Sequence, residues 1–232
     1  MLDSIRPHDR TSLATVPGRE PDRLGEAPPT RLLQVYFIRH GETAWSLTGQ
    51  HTGRTDLPLT AHGEQSASQL SQWLGNIAFT RILTSPRWRA RVTCSLAGLG
   101  DGAQIEPNLA EWDCGDYEGL STPQIRTRHR DWSLWEHGCP GGETPAHIGE
   151  RADRLIDLLR AQTGNVALFS HGQFGKVLAA RWVGMPVAAG RHFVLAPASV
   201  SILGFDDSQP NCRAITLWNV VPADHRGGVR IG

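Results

Sequence analysis

The chain has 232 residues, with 23 basic and 23 acidic side chains and a formal charge of zero, a balance that gives no electrostatic reason to expect a nucleic-acid or membrane-surface partner. No apolar run approaches the roughly 18 to 20 residues that span a bilayer, and the 39% hydrophobic content suits one soluble domain with its own core. Cys94, Cys114, Cys139 and Cys212 form no CxxC pair, which speaks against a zinc site or disulfide framework and for reduced thiols in a cytoplasmic protein.

In chain order, residues 1–30 carry Pro7, Pro17, Pro21, Pro28 and Pro29 among scattered charges, with no apolar periodicity, and are predicted to be a disordered N-terminal extension. They lack the apolar core of a secretory signal and are too acidic for a transit peptide, so no export is expected. One domain is expected over 31–222, followed by a short tail over 223–232.

From Leu32 to Ile38 the residues are apolar, β-branched and aromatic, the pattern of a buried strand, and Arg39-His40-Gly41-Glu42-Thr43 stands at its exit. A second strand is predicted over 81–84, ending at Ser85-Pro86, and a third over 166–169, ending at Ser170-His171-Gly172. Between these two strands, Thr144-Pro145 offers an N-cap and a first-turn proline. Ile148, Ala152, Ile156 and Leu159 then mark one helix face, up to a stop at Gly164. Residues 193–220 read as one or two late strands. Strands alternating with helices predict an α/β fold with a mostly parallel sheet and helices on both faces, whose ligand sites lie beyond the carboxyl ends of the strands.

The residues at those strand ends suit phosphate. A strand exit presents His40 as a nucleophile, Gly41 permits a tight turn, and Arg39 supplies a fork of donors; His171-Gly172 repeats the arrangement on another strand. Transfer of a phosphoryl group needs several donors for its equatorial oxygens and a nucleophile in line with the leaving oxygen. In the run Arg87-Trp88-Arg89-Ala90-Arg91, helical spacing puts Arg87 and Arg91 on one face, read as solvated, and Arg89 on another. A leaving alkoxide also needs a proton from a carboxylic acid. Glu111, Asp113, Asp116 and Glu118 are all candidates on the residues alone. Glu118, next to Gly119, is read first as a turn or helix-start carboxylate, and Glu42 as a structural partner of backbone or arginine. The Gly141-Gly142 pair suits either an anion-binding loop or a plain turn.

Five pieces in order resemble the histidine phosphatases, the phosphoglycerate mutase-like superfamily: Arg39-His40-Gly41-Glu42-Thr43; Thr52-Gly53-Arg54-Thr55-Asp56-Leu57-Pro58-Leu59-Thr60 with Gly63 and Gln65; Ser85-Pro86 with Arg89; Leu109-Ala110-Glu111 with Gly115 and Glu118-Gly119; and Ser170-His171-Gly172. The resemblance implies a phosphoglycerate mutase-like fold, with His40 as the nucleophile that becomes phosphohistidine, Arg39, Arg89 and His171 as the phosphate pocket, and Glu111 as proton donor. The stretches 45–53, 111–119 and 135–144 resemble the sugar-phosphate and acid-phosphatase branch, and by that resemblance Ser46, Gln50, Thr52, Gly53 and Gly172 contact substrate.

No HExxH, acidic metal cluster or phosphate-binding Gly-Lys-Ser/Thr loop is present in the sequence, so no metal and no cofactor is expected. The expected activity is a metal-independent phosphomonoesterase acting on a small phosphorylated metabolite. Its rivals are a 2,3-bisphosphoglycerate-dependent mutase and a catalytically silent phospho-binding module. Mutases of this kind usually carry a longer insertion between the acid and the second histidine than the 60 positions separating Glu111 from His171.

Overall fold

The structure, a computed structural model, describes residues 32–222. The expectations for 1–30 and 223–232 lie outside the described residues.

In chain order the elements are β1 (Gln34–Arg39), α1 (Ala44–Thr48), α2 (Ala61–Leu74), β2 (Phe79–Thr84), α3 (Trp88–Leu96), β3 (Ala103–Ile105), α4 (Thr122–Arg126), α5 (Leu134–His137), α6 (Pro145–Arg160), β4 (Asn165–Ser170), α7 (Gly172–Trp182), β5 (Val200–Asp206) and β6 (Gln209–Val220). They build a six-stranded sheet in the order β3-β2-β4-β1-β5-β6. The first four strands in that order are mutually parallel, and β5 and β6 close one edge antiparallel.

Strand alternation divides the core between the two faces of the sheet. Val35, Phe37, Val166 and Leu168 pack with residues of α6 and α7. Ile38, Ala167 and Phe169 meet Leu70 and Leu74 of α2 and Cys94 of α3. Each fully buried large side chain of this kind contributes about 1.5–3 kcal/mol. Both faces are therefore covered by helices, which is why the central strands lack a polar side.

Thr144 caps α6 by accepting from the His147 N–H at 3.2 Å, and Pro145 occupies the first turn, as its sequence predicts. The helix ends at Arg160 rather than at Gly164. Gly164 lies beyond it at φ +73° and its carbonyl accepts from Gln34, so the glycine serves the turn into β4. The late segment holds two strands, and 193–199 is a loop that wraps the end of β1.

The arrangement that matters for chemistry is the adjacency of three strand exits. β4 lies between β2 and β1, Arg39 pairs with Ser170 in register, and the His40 N–H donates to the Ser170 carbonyl at 2.9 Å. On the other side, the Ser85 N–H donates to the Phe169 carbonyl at 2.9 Å. His40, Ser85 and His171 thus arrive at one place from sequence positions far apart.

Candidate active site

A cleft of about 190 Å³ opens beyond these strand ends, with Arg39, His40, Ser46, Gln50, Thr52, Glu111, Gly172, Gln173 and Lys176 in its walls. His171 and Arg89 are fully buried behind His40, the two imidazole centroids lying 5.2 Å apart.

The buried His40 ring places Nδ1 2.7 Å from the Gly41 carbonyl. A carbonyl only accepts, so Nδ1 carries the proton and the lone pair stands on Nε2. Burial, then the charges of Arg89 and Arg39, hold the imidazole well below the ordinary histidine range, although the Gly41 bond opposes them. The ring is therefore neutral near pH 7. Gly41 is required here by close approach rather than by a turn with positive φ: a Cβ would stand 2.5 Å from the Gly63 carbonyl oxygen. The Gly41 N–H is tied to Thr93 Oγ1 at 3.0 Å. From the other side, the Ala198 N–H reaches the His40 carbonyl at 3.1 Å with Ala198 at φ +53°, a strained conformation for a residue with a Cβ.

His171 has the opposite wiring. Its Nε2 lies 2.7 Å from Ser85 Oγ, which already accepts from the Arg87 N–H at 3.2 Å. The Ser85 proton has no other acceptor among the described residues, so Ser85 donates to Nε2 and His171 Nδ1 carries N–H. That Nδ1 is buried without a partner, as are Arg39 Nε and Arg89 Nε. Burial, then Arg89 and His40, depress the His171 pKa as well. Three buried donors without partners thus stand on residues whose charge or ring reaches His40, a set that suits a phosphoryl group, whose oxygens accept and whose phosphorus is attacked.

Arg89 is seated by the loop that follows His51. Its guanidinium donates to the carbonyls of Thr55 at 2.9 Å, Gly53 at 3.2 Å and Thr52 at 3.3 Å. Glu118 holds the same loop by accepting from the N–H groups of Gly53, Arg54 and Thr55. Burial disfavours its charge, yet these bonds, with the Thr55 side chain, leave its pKa below the ordinary carboxylate value. Glu118 is thus structural, as a clamp on a distant loop. Glu42 is also structural, but its partners are the Thr60 hydroxyl at 2.7 Å and His62 rather than arginine or backbone.

Glu111 lies in the cleft wall with its carboxylate against the first N–H groups of α7, its Oε1 accepting from Trp112 at 2.8 Å and Phe174 at 2.7 Å, and its Oε2 from Gln173 at 2.9 Å. With two lone pairs per oxygen, Oε2 retains one, and that is the position for a transferable proton. Of the rivals, Asp113 pairs with Arg54 at 2.8 Å, and Glu118 is committed as described. Arg151 fixes the Glu111 loop through the carbonyls of Asn108, Ala110 and Glu111, braced by Glu143 at 2.8 Å.

The residues expected at the substrate take different places in the structure. Ser46, Gln50, Thr52 and Gly172 line the cleft. Ser46 Oγ is engaged with Thr43, Gln50 Nε2 with the Gly119 carbonyl at 2.7 Å, and Thr52 Oγ1 with the Gln50 carbonyl. Gly53 is not in the cleft wall; its N–H goes to Glu118 and its carbonyl to Arg89, so it helps seat the arginine. Gly141-Gly142 is a turn packed on Asp113 and Gly115. Arg91 is exposed and stacks on Trp88, whereas Arg87 is half-buried with its Nε unpartnered, contrary to a solvated reading.

Arg151 was not singled out from sequence, although a charge inside the apolar stripe between Ile148 and Ala152 was a legible signal; Ser85 entered only within the Ser85-Pro86 piece, with no role given to it. Among the described residues no group of three or more His, Cys, Asp or Glu is placed to hold a metal, and no helix is long and apolar enough to cross a membrane.

The family model described as histidine phosphatase superfamily (branch 1) matches residues 35–219. An acid phosphatase of Mycobacterium tuberculosis is 42% identical over 177 residues, 75% of this chain and 87% of that protein. A sedoheptulose 1,7-bisphosphatase of Saccharomyces cerevisiae is 35% identical over 191 residues, 68% of this chain and 70% of that one. A solved open-reading-frame product of Mycobacterium tuberculosis superposes with a TM-score of 0.78 at 40% identity, covering 83% of this chain and all of the other.

Proposed function

The chain belongs to the histidine phosphatase superfamily, branch 1, and on that premise we propose that it hydrolyses small phosphate monoesters through a phosphohistidine on His40 Nε2. The observation that carries this reading is the lone pair on Nε2 among the unpartnered donors of Arg39, Arg89 and His171.

In the first half-reaction the Nε2 lone pair attacks phosphorus and the ester P–O bond breaks. Glu111 gives its proton to the departing oxygen, which leaves as the alcohol. Arg39, Arg89 and the His171 Nδ1–H hold the three equatorial oxygens, where charge is spread in the transition state. In the second half-reaction the Glu111 carboxylate takes a proton from water, the hydroxyl oxygen bonds to phosphorus, and the P–N bond breaks. Phosphate departs, and both His40 and Glu111 return to their starting states. The depressed pKa of His40 suits work in mildly acidic solution, because the nucleophile stays unprotonated there.

Phosphatase activity is favoured over mutase activity by the names of the relatives above. The segment between Glu111 and His171 supports the same reading, since α4, α5, the glycine turn and α6 occupy much of it, leaving little chain to seal the intermediate from water. A cytoplasmic setting fits the four free cysteines.

The test is an assay with 3-phosphoglycerate and catalytic 2,3-bisphosphoglycerate, run beside sugar phosphates and an aryl phosphate. Phosphate release is expected to exceed isomerisation. Isomerisation about a hundredfold faster, roughly 2.7 kcal/mol in relative barriers, would replace the phosphatase reading with the mutase one.

A further inference from the structure

The chemistry above leaves two buried thiols unused. Cys114 and Cys139 are free cysteines that share one apolar cluster with Trp112, Tyr117 and Trp132. Their two loops run against each other: the Glu143 N–H donates to the Asp113 carbonyl at 2.9 Å, and the Asp116 N–H to the Pro140 carbonyl at 2.8 Å. A Cβ on Gly115 would stand 2.2 Å from the Pro140 carbonyl oxygen, and one on Gly142 2.3 Å from that of Asp113, so the backbones touch. This join brings Cys114 and Cys139 together. Interaction with Cys139, then burial, push the Cys114 thiol well above the ordinary thiol range.

Each thiol also borders open space. Cys114 is in the wall of the cleft that holds His40 and Glu111. Cys139 is in the wall of a second cavity, of about 560 Å³, with Tyr117, His129, Trp132 and His137. A small neutral oxidant therefore has a route to the pair that does not pass through the cleft. Cys114 is tied to the catalytic parts as well. Its thiol donates to the Trp112 carbonyl at 3.3 Å, and the Trp112 N–H holds Glu111. A Cβ on Gly53 would stand 2.5 Å from the Trp112 carbonyl oxygen and 2.7 Å from the Cys114 nitrogen, so the loop that seats Arg89 rests on the same turn.

We infer that Cys114 and Cys139 are an oxidation site, closed to a disulfide by a hydroperoxide, and that the disulfide slows the phosphatase. The Cys139 sulfur, at the second cavity, loses its proton and attacks one peroxide oxygen; the O–O bond breaks, one water leaves and a sulfenic acid remains. The Cys114 sulfur then attacks that sulfur, and its proton departs with the hydroxyl as a second water. Two thiols and one hydrogen peroxide become one disulfide and two waters, the sulfurs giving up the two electrons that reduce the peroxide. Cys114 holds its proton more tightly than an ordinary thiol, which leaves the first attack to Cys139. A covalent bond holds two sulfurs closer than any contact between thiols. Closing it breaks the Cys114–Trp112 hydrogen bond and draws the 112–115 turn away from Glu111 and from the seat of Arg89. Thiol reductants reverse the step, as for the transient disulfides of reducing compartments. The disulfide stands independently of the phosphatase reading, and its effect on rate rests on that reading.

The test uses the full chain carrying Cys212→Ser, which removes the exposed thiol and leaves three of the four cysteines. After treatment with hydrogen peroxide, thiol titration in denaturant should show two of those three lost, and peptide mapping should find 114 joined to 139. Turnover of fructose 6-phosphate should fall about 10- to 100-fold in kcat, the order of loss for a catalytic group misplaced by about 1 Å, and dithiothreitol should restore it. Cys139→Ser in the same background should keep its starting kcat through the treatment. No link between 114 and 139, a link with kcat unchanged, or an equal fall in Cys139→Ser would overturn the inference; the mapping itself needs no substitution at the site. A mapped link in a protein that turns over neither fructose 6-phosphate nor p-nitrophenyl phosphate when reduced would support the oxidation site and remove the phosphatase reading.

Discussion

β1 and β4 leave the sheet side by side, each ending in His-Gly, yet the two imidazoles are wired in opposite senses. His40 gives its Nδ1 proton to a backbone carbonyl and keeps a lone pair on Nε2. His171 accepts a hydrogen bond at Nε2 from the Ser85 hydroxyl and keeps an unpartnered N–H on Nδ1. One ring is left as a nucleophile and the other as a donor. The lesson is that a histidine's role is set by the partner of its other nitrogen, which no tripeptide motif encodes.

The largest expected contrast comes from deleting each ring. His40→Ala should reduce turnover about 10⁴-fold or more, since it removes the proposed nucleophile. His171→Ala should lose about 10²- to 10³-fold, the usual worth of one transition-state donor. Steady-state kinetics on p-nitrophenyl phosphate measure both, and equal losses would erase the distinction between the rings.

Glu111→Gln sharpens the contrast from the leaving-group side. It should cost alkyl phosphates about 10²- to 10⁴-fold and aryl phosphates, whose phenolate leaves readily, much less. Similar losses on both would mean that the proton comes from elsewhere.

Ser85→Ala attacks the wiring itself, leaving His171 free to carry its proton on either nitrogen. A loss of about tenfold in kcat is expected, near the worth of one positioning hydrogen bond. Ser85→Thr should recover most of it. A loss confined to thermal stability, with kcat intact, would reduce Ser85 to a structural role.

The smallest effect is on stability. Both rings are held neutral, with folded pKa values below the unfolded value near 6.5. As pH falls through about 6.5 the unfolded chain gains protons that the native site refuses, so this contribution is full above that pH and is lost below it. Each ring should lower the unfolding free energy by up to about 1.4 kcal/mol per pH unit. Urea unfolding between pH 7.5 and 5.5 should show this slope, and the double substitution His40→Asn with His171→Asn should flatten it. An unchanged slope in the double variant would place the titrating groups elsewhere.

Much of the framework was legible because it is written in local pattern. The runs at 32–38 and 166–169 read as buried strands, and Thr144-Pro145 read as a helix start. The edge strand β3 has three residues, too few to show alternation. The residues at the strand exits already pointed to His40, Arg39, His171 and Arg89, and the resemblance chose Glu111 among the neighbouring carboxylates. Gly53, expected at the substrate, lies in the seat of Arg89. Ser85, quoted only within the Ser85-Pro86 piece, gave no sign of its role, because its partner His171 lies 86 positions away in the sequence.

The most direct measurement of the account is to trap the intermediate with a labelled phosphoryl donor, quench in alkali and locate the phosphate by peptide mapping. The label is expected on His40, at Nε2, in wild type; it should persist, formed more slowly, in His171→Ala and vanish in His40→Ala. Label on His171, or undiminished labelling of His40→Ala, would contradict the assignment of the two strand exits.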